Sequence, residues 1–149
     1  MTAIAKRHFT IKGQLVPAIG LGTWLLSGQK CIRAVEQALA LGYRHLDTAQ
    51  DYSNESDVGT GIRNANVSRS EIFLVTKVRP SNFSYNRTIV STHNSLKALQ
   101  TDYIDLLLMH WPNPTIPLAE TLSAMVELQR AGIDFGFVKP DWGDGYDDY

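Results

Sequence analysis

Four residue types able to move a proton at neutral pH occur in one stretch of this chain: Asp47, Tyr52, Lys77 and His110. A free tyrosine titrates near ~10, so as an acid or base at neutral pH it needs a neighbouring cation that favours phenolate. Lys77 is the natural cation. A buried lysine tends to shed its proton, so it needs a carboxylate partner, and Asp47 is placed to supply one. His110 could then hydrogen-bond a carbonyl oxygen beside the Tyr52 hydroxyl, orienting it and stabilising developing charge. The implied chemistry is carbonyl reduction, whose hydride must come from a cofactor because no side chain donates one. Taken singly the same residues have plainer readings. An Asp-Thr after a strand is commonly a turn cap, and a strand-end histidine is commonly just hydrogen-bonded. The joint pattern outweighs them.

Positioning those side chains requires four βα units. Short β-branched or aliphatic runs alternate with stretches of helical period four times over, the signature of parallel βαβ construction. Strands are expected at 16–24, 44–48, 72–78 and 103–109, with a hairpin at the start turning at Gly13. Helices are expected over 31–41, with Ile32, Val35 and Leu39 inward and Gly42 as a stop, over 54–64 with Asn54 as cap, and over 88–99 with Ile89, Leu96 and Leu99 inward. A fourth begins at Pro117, with Leu118, Leu122, Met125 and Val126 as its apolar stripe and Gly132 closing it. A fifth strand is expected at 134–138. In such a fold the C-terminal strand ends share one rim, which here collects Gly22, Thr23 and Trp24, then Asp47 and Tyr52, then Lys77, then His110 and Trp111. Asp51, Glu55 and Asp57 read most simply as the acidic first turn of a helix.

Composition narrows the function classes. Fourteen Lys and Arg against fifteen Asp and Glu leave a net charge of −1, so no basic field points to nucleic acid or an anionic membrane. The single cysteine, Cys31, excludes an internal disulfide and suits a reducing compartment, so a cytoplasmic, soluble protein is expected. The most apolar run, 104–109, carries Asp105 and is far short of the roughly 20 residues that span a bilayer. Gly20-Leu-Gly22 lacks the third glycine of a dinucleotide fingerprint, so a Rossmann site is rejected. The last nine residues hold four aspartates; without them the remaining 140 residues carry +3. Their spacing does not fit a calcium loop, no metal is implied, and residues 141–149 read as a disordered acidic, aromatic tail after a partial barrel domain over 1–140.

The stretch from Gly42 through Asp47-Thr-Ala-Gln-Asp-Tyr52-Ser-Asn-Glu55 to Gly59 resembles the first signature of the aldo-keto reductase family, G-x-x-x-x-D-T-A-x-x-Y-x-N-E-x-x-x-G, at every fixed position. Gly20-Leu-Gly22-Thr-Trp24, Thr76-Lys77 and the segment from Asp102 to His110-Trp-Pro112 resemble further family segments in the same order. The resemblance covers about residues 8–132. It implies a TIM-type (β/α)8 barrel, here its first four βα units with an N-terminal hairpin, and the catalytic set Asp47, Tyr52, Lys77 and His110. It implies NADP(H) as hydride donor, with Gly22, Thr23, Trp24 and Asp47 toward the cofactor. Small aldehydes or ketones are the implied substrates, with Trp24, Tyr52, His110 and Trp111 lining their pocket, although Trp111-Pro112 reads equally as loop packing.

Three departures from the family accompany these matches. Residues 133–142 show no Ser-Asn pair of the kind that holds the nicotinamide carboxamide, the later strands that bind the cofactor phosphate are missing, and Arg79 stands where many relatives carry an aromatic pocket residue. The expectation is therefore an NADPH-dependent carbonyl reductase in truncated form. The alternative is a non-catalytic isoform or fragment without a competent cofactor site, and a third reading makes the tail an interaction motif. A four-strand piece leaves sheet edges unpaired, so self-association of half barrels is also expected.

Overall fold

The computed structural model describes residues 7–11 and 13–133. A hairpin comes first. Strands β1 (His8–Ile11) and β2 (Gln14–Pro17) pair antiparallel, with Ile11 opposite Gln14 across a tight turn at which Gly13 takes a positive φ of 84°. Positive φ is what such a turn demands and what glycine supplies without a Cβ penalty. His45 ties the hairpin to the body, its Nδ1 lying 3.0 Å from the Pro17 carbonyl oxygen.

Strands β3 (Leu21–Gly22), β4 (His45–Asp47), β5 (Phe73–Val78) and β6 (Leu106–Met109) form one parallel sheet in chain order. Helices α1 (Gly28–Ala40), α2 (Glu55–Asn64), α3 (Tyr85–Leu99) and α4 (Leu118–Arg130) follow the strands one by one and pack in sequence against their neighbours. The register assigns side chains to faces. Gly22 pairs with Asp47, Asp47 with Val75, and Val75 with Leu106, while Lys77 pairs with Leu108. Because side chains alternate along a strand, these residues share the face away from the helices, and Leu46, Leu74, Thr76 and Leu107 share the other. That second face holds the core, where Leu46, Leu74 and Leu107 meet Val35, Val58, Leu99 and Met125, all at most 2% exposed. Each such aliphatic side chain contributes roughly 1.5–3 kcal/mol on burial.

Close helix packing depends on Gly59 and Gly61. A Cβ on Gly59 would lie 2.5 Å from the Leu99 carbonyl oxygen on α3, and one on Gly61 would lie 2.7 Å from Val35 Cβ on α1. At the N-terminal ends of β5 and β6, Arg69 donates to Ile72 O (2.7 Å), Tyr103 O (2.9 Å), Thr101 Oγ1 (2.9 Å) and Asp105 Oδ2 (2.7 Å), with its guanidinium 4.0 Å from the Tyr103 ring centre. Asp105 Oδ2 in turn accepts the Leu74 N–H.

The hairpin and the four βα units match expectation, with three corrections. The first expected strand, 16–24, is divided: Val16 belongs to the hairpin, and the barrel strand is confined to Leu21–Gly22. Pro117 precedes α4 as its cap residue, and the buried stripe of that helix is Thr121, Ala124, Met125 and Leu128, with Leu118 57% exposed at the helix start. Asn54 precedes α2, but its side chain makes no cap. It is fully buried, donating to Thr23 O and Leu26 O (both 2.8 Å) and accepting from Thr48 Oγ1. The expected strand at 134–138 and the acidic tail lie outside the described residues. No described helix is long and apolar enough to cross a membrane.

Candidate active site

The register that sorts the faces also stacks the candidate groups. Asp47 ends β4 at the level of Val75, Lys77 lies one side-chain repeat further along the same face, and His110 follows two residues after Leu108 on β6. Tyr52 comes from a one-turn 3-10 helix, Gln50–Tyr52, that leaves the end of β4. Ser53 then takes a left-handed φ of 54°, which lets the chain reverse into α2 immediately after Tyr52.

Lys77 is the centre of the arrangement. Its ammonium has three N–H donors and three acceptors: Asp47 Oδ1 at 2.6 Å, the Thr48 carbonyl oxygen at 2.9 Å and Tyr52 Oη at 3.4 Å. The side chain is only 14% exposed, against 35% for Asp47. Without this carboxylate the enclosed cation would have no opposite charge beside it. Tyr52 Oη accepts from Lys77, which leaves its own O–H without an acceptor among the described residues and available to a substrate. The His110 ring meets the Tyr52 ring edge to face, with centroids 5.4 Å apart. It also stacks on Trp111 at 5.3 Å and 25°. The four residues expected to act together are thus brought together.

The remaining expected residues surround this centre in different ways. Thr23 is buried, and both its N–H and its hydroxyl donate to the Asp47 carbonyl oxygen at 3.0 Å, so it braces the end of β4. Gly22 pairs with Asp47 at the rim. Trp24 and Trp111 are 67% and 63% exposed.

Two carboxylates take roles beyond the acidic helix turn expected of them. Asp51 bridges two groups, with Oδ2 2.9 Å from His110 Nδ1 and Oδ1 accepting from Arg79 Nε at 2.8 Å. Glu55 is enclosed beneath the site and accepts from Thr76 Oγ1 at 2.6 Å and Ser95 Oγ at 3.1 Å. Burial raises its carboxyl above the ordinary range, against the lowering effect of those two hydroxyls and of the Arg79 charge. Asp51 does stand in the first turn of the 3-10 helix, and Glu55 and Asp57 in that of α2, as expected; Asp57 also accepts the Gly28 N–H at the start of α1 at 2.7 Å. The partners lie 21 to 59 residues away, so local spacing carries no signal for these contacts.

Comparison with known proteins bears on this geometry. Residues 18–133 match the model of the aldo/keto reductase family. Methylglyoxal reductase DkgA of Escherichia coli O157:H7 is 46% identical over 122 residues, which cover 81% of this chain and 44% of that protein. Methylglyoxal reductase DkgB of Yersinia pestis is 42% identical over 120 residues, 79% of this chain and 45% of that protein. The crystal structure of an aldo/keto reductase from Brucella melitensis aligns with a TM-score of 0.84 at 38% identity, over 90% of this chain and 52% of that one. The Bombyx mori aldo-keto reductase in complex with NADP aligns at 0.74 and 33% identity, over 83% and 46%. The chain spans about half the length of the relatives it matches. Its four βα units correspond to half of their (β/α)8 barrel. On the match over 116 of its residues and the shared half-barrel, this chain belongs to the aldo/keto reductase family.

Proposed function

We propose that this chain carries the proton-transfer half of an NADPH-dependent carbonyl reductase acting on small aldehydes or ketones, with Tyr52 as the proton donor. One observation carries the reading: the Lys77 ammonium sits between Asp47 Oδ1 and Tyr52 Oη, with all three of its donors engaged. A carbonyl oxygen beside Tyr52 receives the phenolic proton, and the phenolate left behind faces the ammonium that already donates to it. Asp47 supplies the opposite charge beside that ammonium. His110, held through Nδ1 by Asp51, orients the carbonyl oxygen from the other side.

The described residues fit the nicotinamide end of the cofactor. Asp47 Oδ2 has no partner among them and can accept a hydroxyl, and the exposed Trp24 stands at the same rim beside Gly22. When bound, the reduced cofactor supplies a hydride to the carbonyl carbon. The two named relatives are methylglyoxal reductases, which supports a small, compact carbonyl substrate.

Tyr52→Phe tests the assignment, since it removes the proton and leaves the ring. NADPH-dependent aldehyde reduction is expected to disappear, and retained turnover would sink Tyr52 as the acid. A second reading, a non-catalytic protein, is favoured by the lack of a Ser-Asn pair at 133–142. Titration with NADPH separates the two: saturable change in Trp24 and Trp111 fluorescence supports the reductase, and none at any concentration supports the second.

A further inference from the structure

We propose that Glu55 is a positioning residue that holds Tyr52 against Lys77 from behind, through one hydroxyl on the lysine's strand and one on the helix that braces the tyrosine's turn. The inference rests on the proton-transfer reading of the site.

Tyr52 needs such a tie. It stands on a single 3-10 turn, and its 3.4 Å contact with Lys77 is the longest of that ammonium's three. Beneath the turn runs a directed chain of hydrogen bonds. Gln50 Nε2 donates to Ser95 Oγ at 3.2 Å, which commits the Ser95 hydrogen to Glu55 Oε2 at 3.1 Å. From the opposite side, Thr76 Oγ1 donates to Glu55 Oε1 at 2.6 Å. Gln50 is the first residue of the turn that carries Tyr52, and Thr76 directly precedes Lys77. Strand alternation sends Lys77 to the site face and Thr76 to the helix face, where Glu55 waits at the start of α2. Gln50 is fixed further because its Oε1 accepts from the Arg79 N–H and from Asn82 Nδ2, both at 3.0 Å, and its carbonyl accepts from Arg79 Nη2 at 2.8 Å. Thr76 and Ser95 are 0% and 1% exposed, so water does not substitute for the carboxylate.

A carboxylate suits the position because both oxygens accept. Glutamine keeps one acceptor and can donate to the other hydroxyl, so Glu55→Gln retains much of the tie. Glu55→Leu removes it at similar volume.

The experiment compares the full chain with both variants by two readouts. The first is the nuclear Overhauser contact between the Tyr52 ring protons and the Lys77 ε-methylene, with the His45–Phe73 ring contact, 5.2 Å apart at the far end of the sheet, as control. The expected result is loss of the Tyr52–Lys77 contact in Glu55→Leu, its retention in Glu55→Gln, and an unchanged control. Persistence of the contact in Glu55→Leu overturns the proposal. If Glu55→Leu also loses the control, Thr76→Val and Ser95→Ala take over the comparison, and persistence of the contact in both overturns it. The second readout is steady-state carbonyl reduction. A displaced Tyr52 is expected to lower kcat on the order of 100-fold, with KM unmoved and rescue by glutamine. An equal loss in Glu55→Leu and Glu55→Gln overturns the proposal. No turnover by the unaltered chain counts against the reductase reading, and the Overhauser comparison then decides the tie alone.

Discussion

Replacing Gly59 by alanine tests whether close approach between α2 and α3 is a structural requirement. In an ordinary helix interior the change stabilises, by about 1 kcal/mol, because alanine is the better helix former. Here the new Cβ would stand 2.5 Å from the Leu99 carbonyl oxygen, 2.6 Å from its carbonyl carbon and 2.8 Å from its Cα. Carbon contacts are comfortable at about 3.5–4.0 Å, so the two helices would have to separate by about 1 Å. The atoms in the way are backbone, and no rotamer change relieves them. Overpacking costs typically ~1–3 kcal/mol, and a clash with fixed backbone falls in the upper part, about 2–3 kcal/mol, so subtracting the propensity gain of about 1 kcal/mol leaves a net loss of about 1–2 kcal/mol. For a chain of this size that is a fall in Tm of roughly 2–8 °C. Thermal and urea unfolding of Gly59→Ala beside Gly22→Ala, whose Cβ meets nothing within 4 Å, would measure it. A Gly59→Ala protein as stable as the unaltered chain, or more stable, refutes the reasoning. Because α2 begins three residues after Tyr52, the same variant should also strain the link from Glu55 to Ser95 on α3.

Three further outcomes follow from the same contacts. Asp47→Asn leaves the enclosed Lys77 ammonium without its anion, so catalysis of carbonyl reduction should fall by at least tenfold at neutral pH, measured as kcat. Cys31, fully buried, has its thiol pushed up to about 11 by burial and by the Asp57 charge, so iodoacetamide at pH 8 should leave the folded chain unmodified and react readily in denaturant. Glu55 gives a pH dependence of definite sign. Its carboxyl is raised in the folded state, so the stability it contributes is complete below the ordinary carboxylate range and is lost as pH rises through the raised value. The stability of Glu55→Gln relative to the unaltered protein should therefore climb with pH across that window, and a flat or falling difference in urea midpoints would contradict it.

The residues that were legible in the sequence are those whose role is set by position along one element. Asp47, Lys77 and His110 could be read as strand-end groups because each follows an aliphatic run, and parallel strands share a rim. The helices with strong apolar period were found within a few residues of their ends. Asp51 and Glu55 do stand in first helical turns, as three acids within seven residues suggest, but nothing in that spacing signals the further contacts they make. What distinguishes them is Arg79, His110, Thr76 and Ser95, all supplied by other βα units. The stripe of α4 was misplaced for another reason. Thr121 does not look apolar in sequence and Ala124 is small, yet the Thr121 hydroxyl reaches the Phe83 carbonyl oxygen at 2.6 Å and is buried with it, while Leu118 at the helix start meets solvent. Asn54 was placed correctly before α2, but its side chain joins two neighbouring loops, a use that depends on β3 and β4 lying side by side.

Arg69 shows how the half-barrel separates firmness from chemistry. One guanidinium gathers two carbonyls, a hydroxyl and a carboxylate where β5 and β6 begin, at the end of the strands opposite Lys77 and His110. The strands are therefore clamped at their roots, and the loops beyond their tips are spared that duty. Sequence change in those loops can alter the surface around Tyr52 without loosening the register that brings Lys77 to it. A lineage can thus vary one end of the sheet while the other end keeps the frame unchanged.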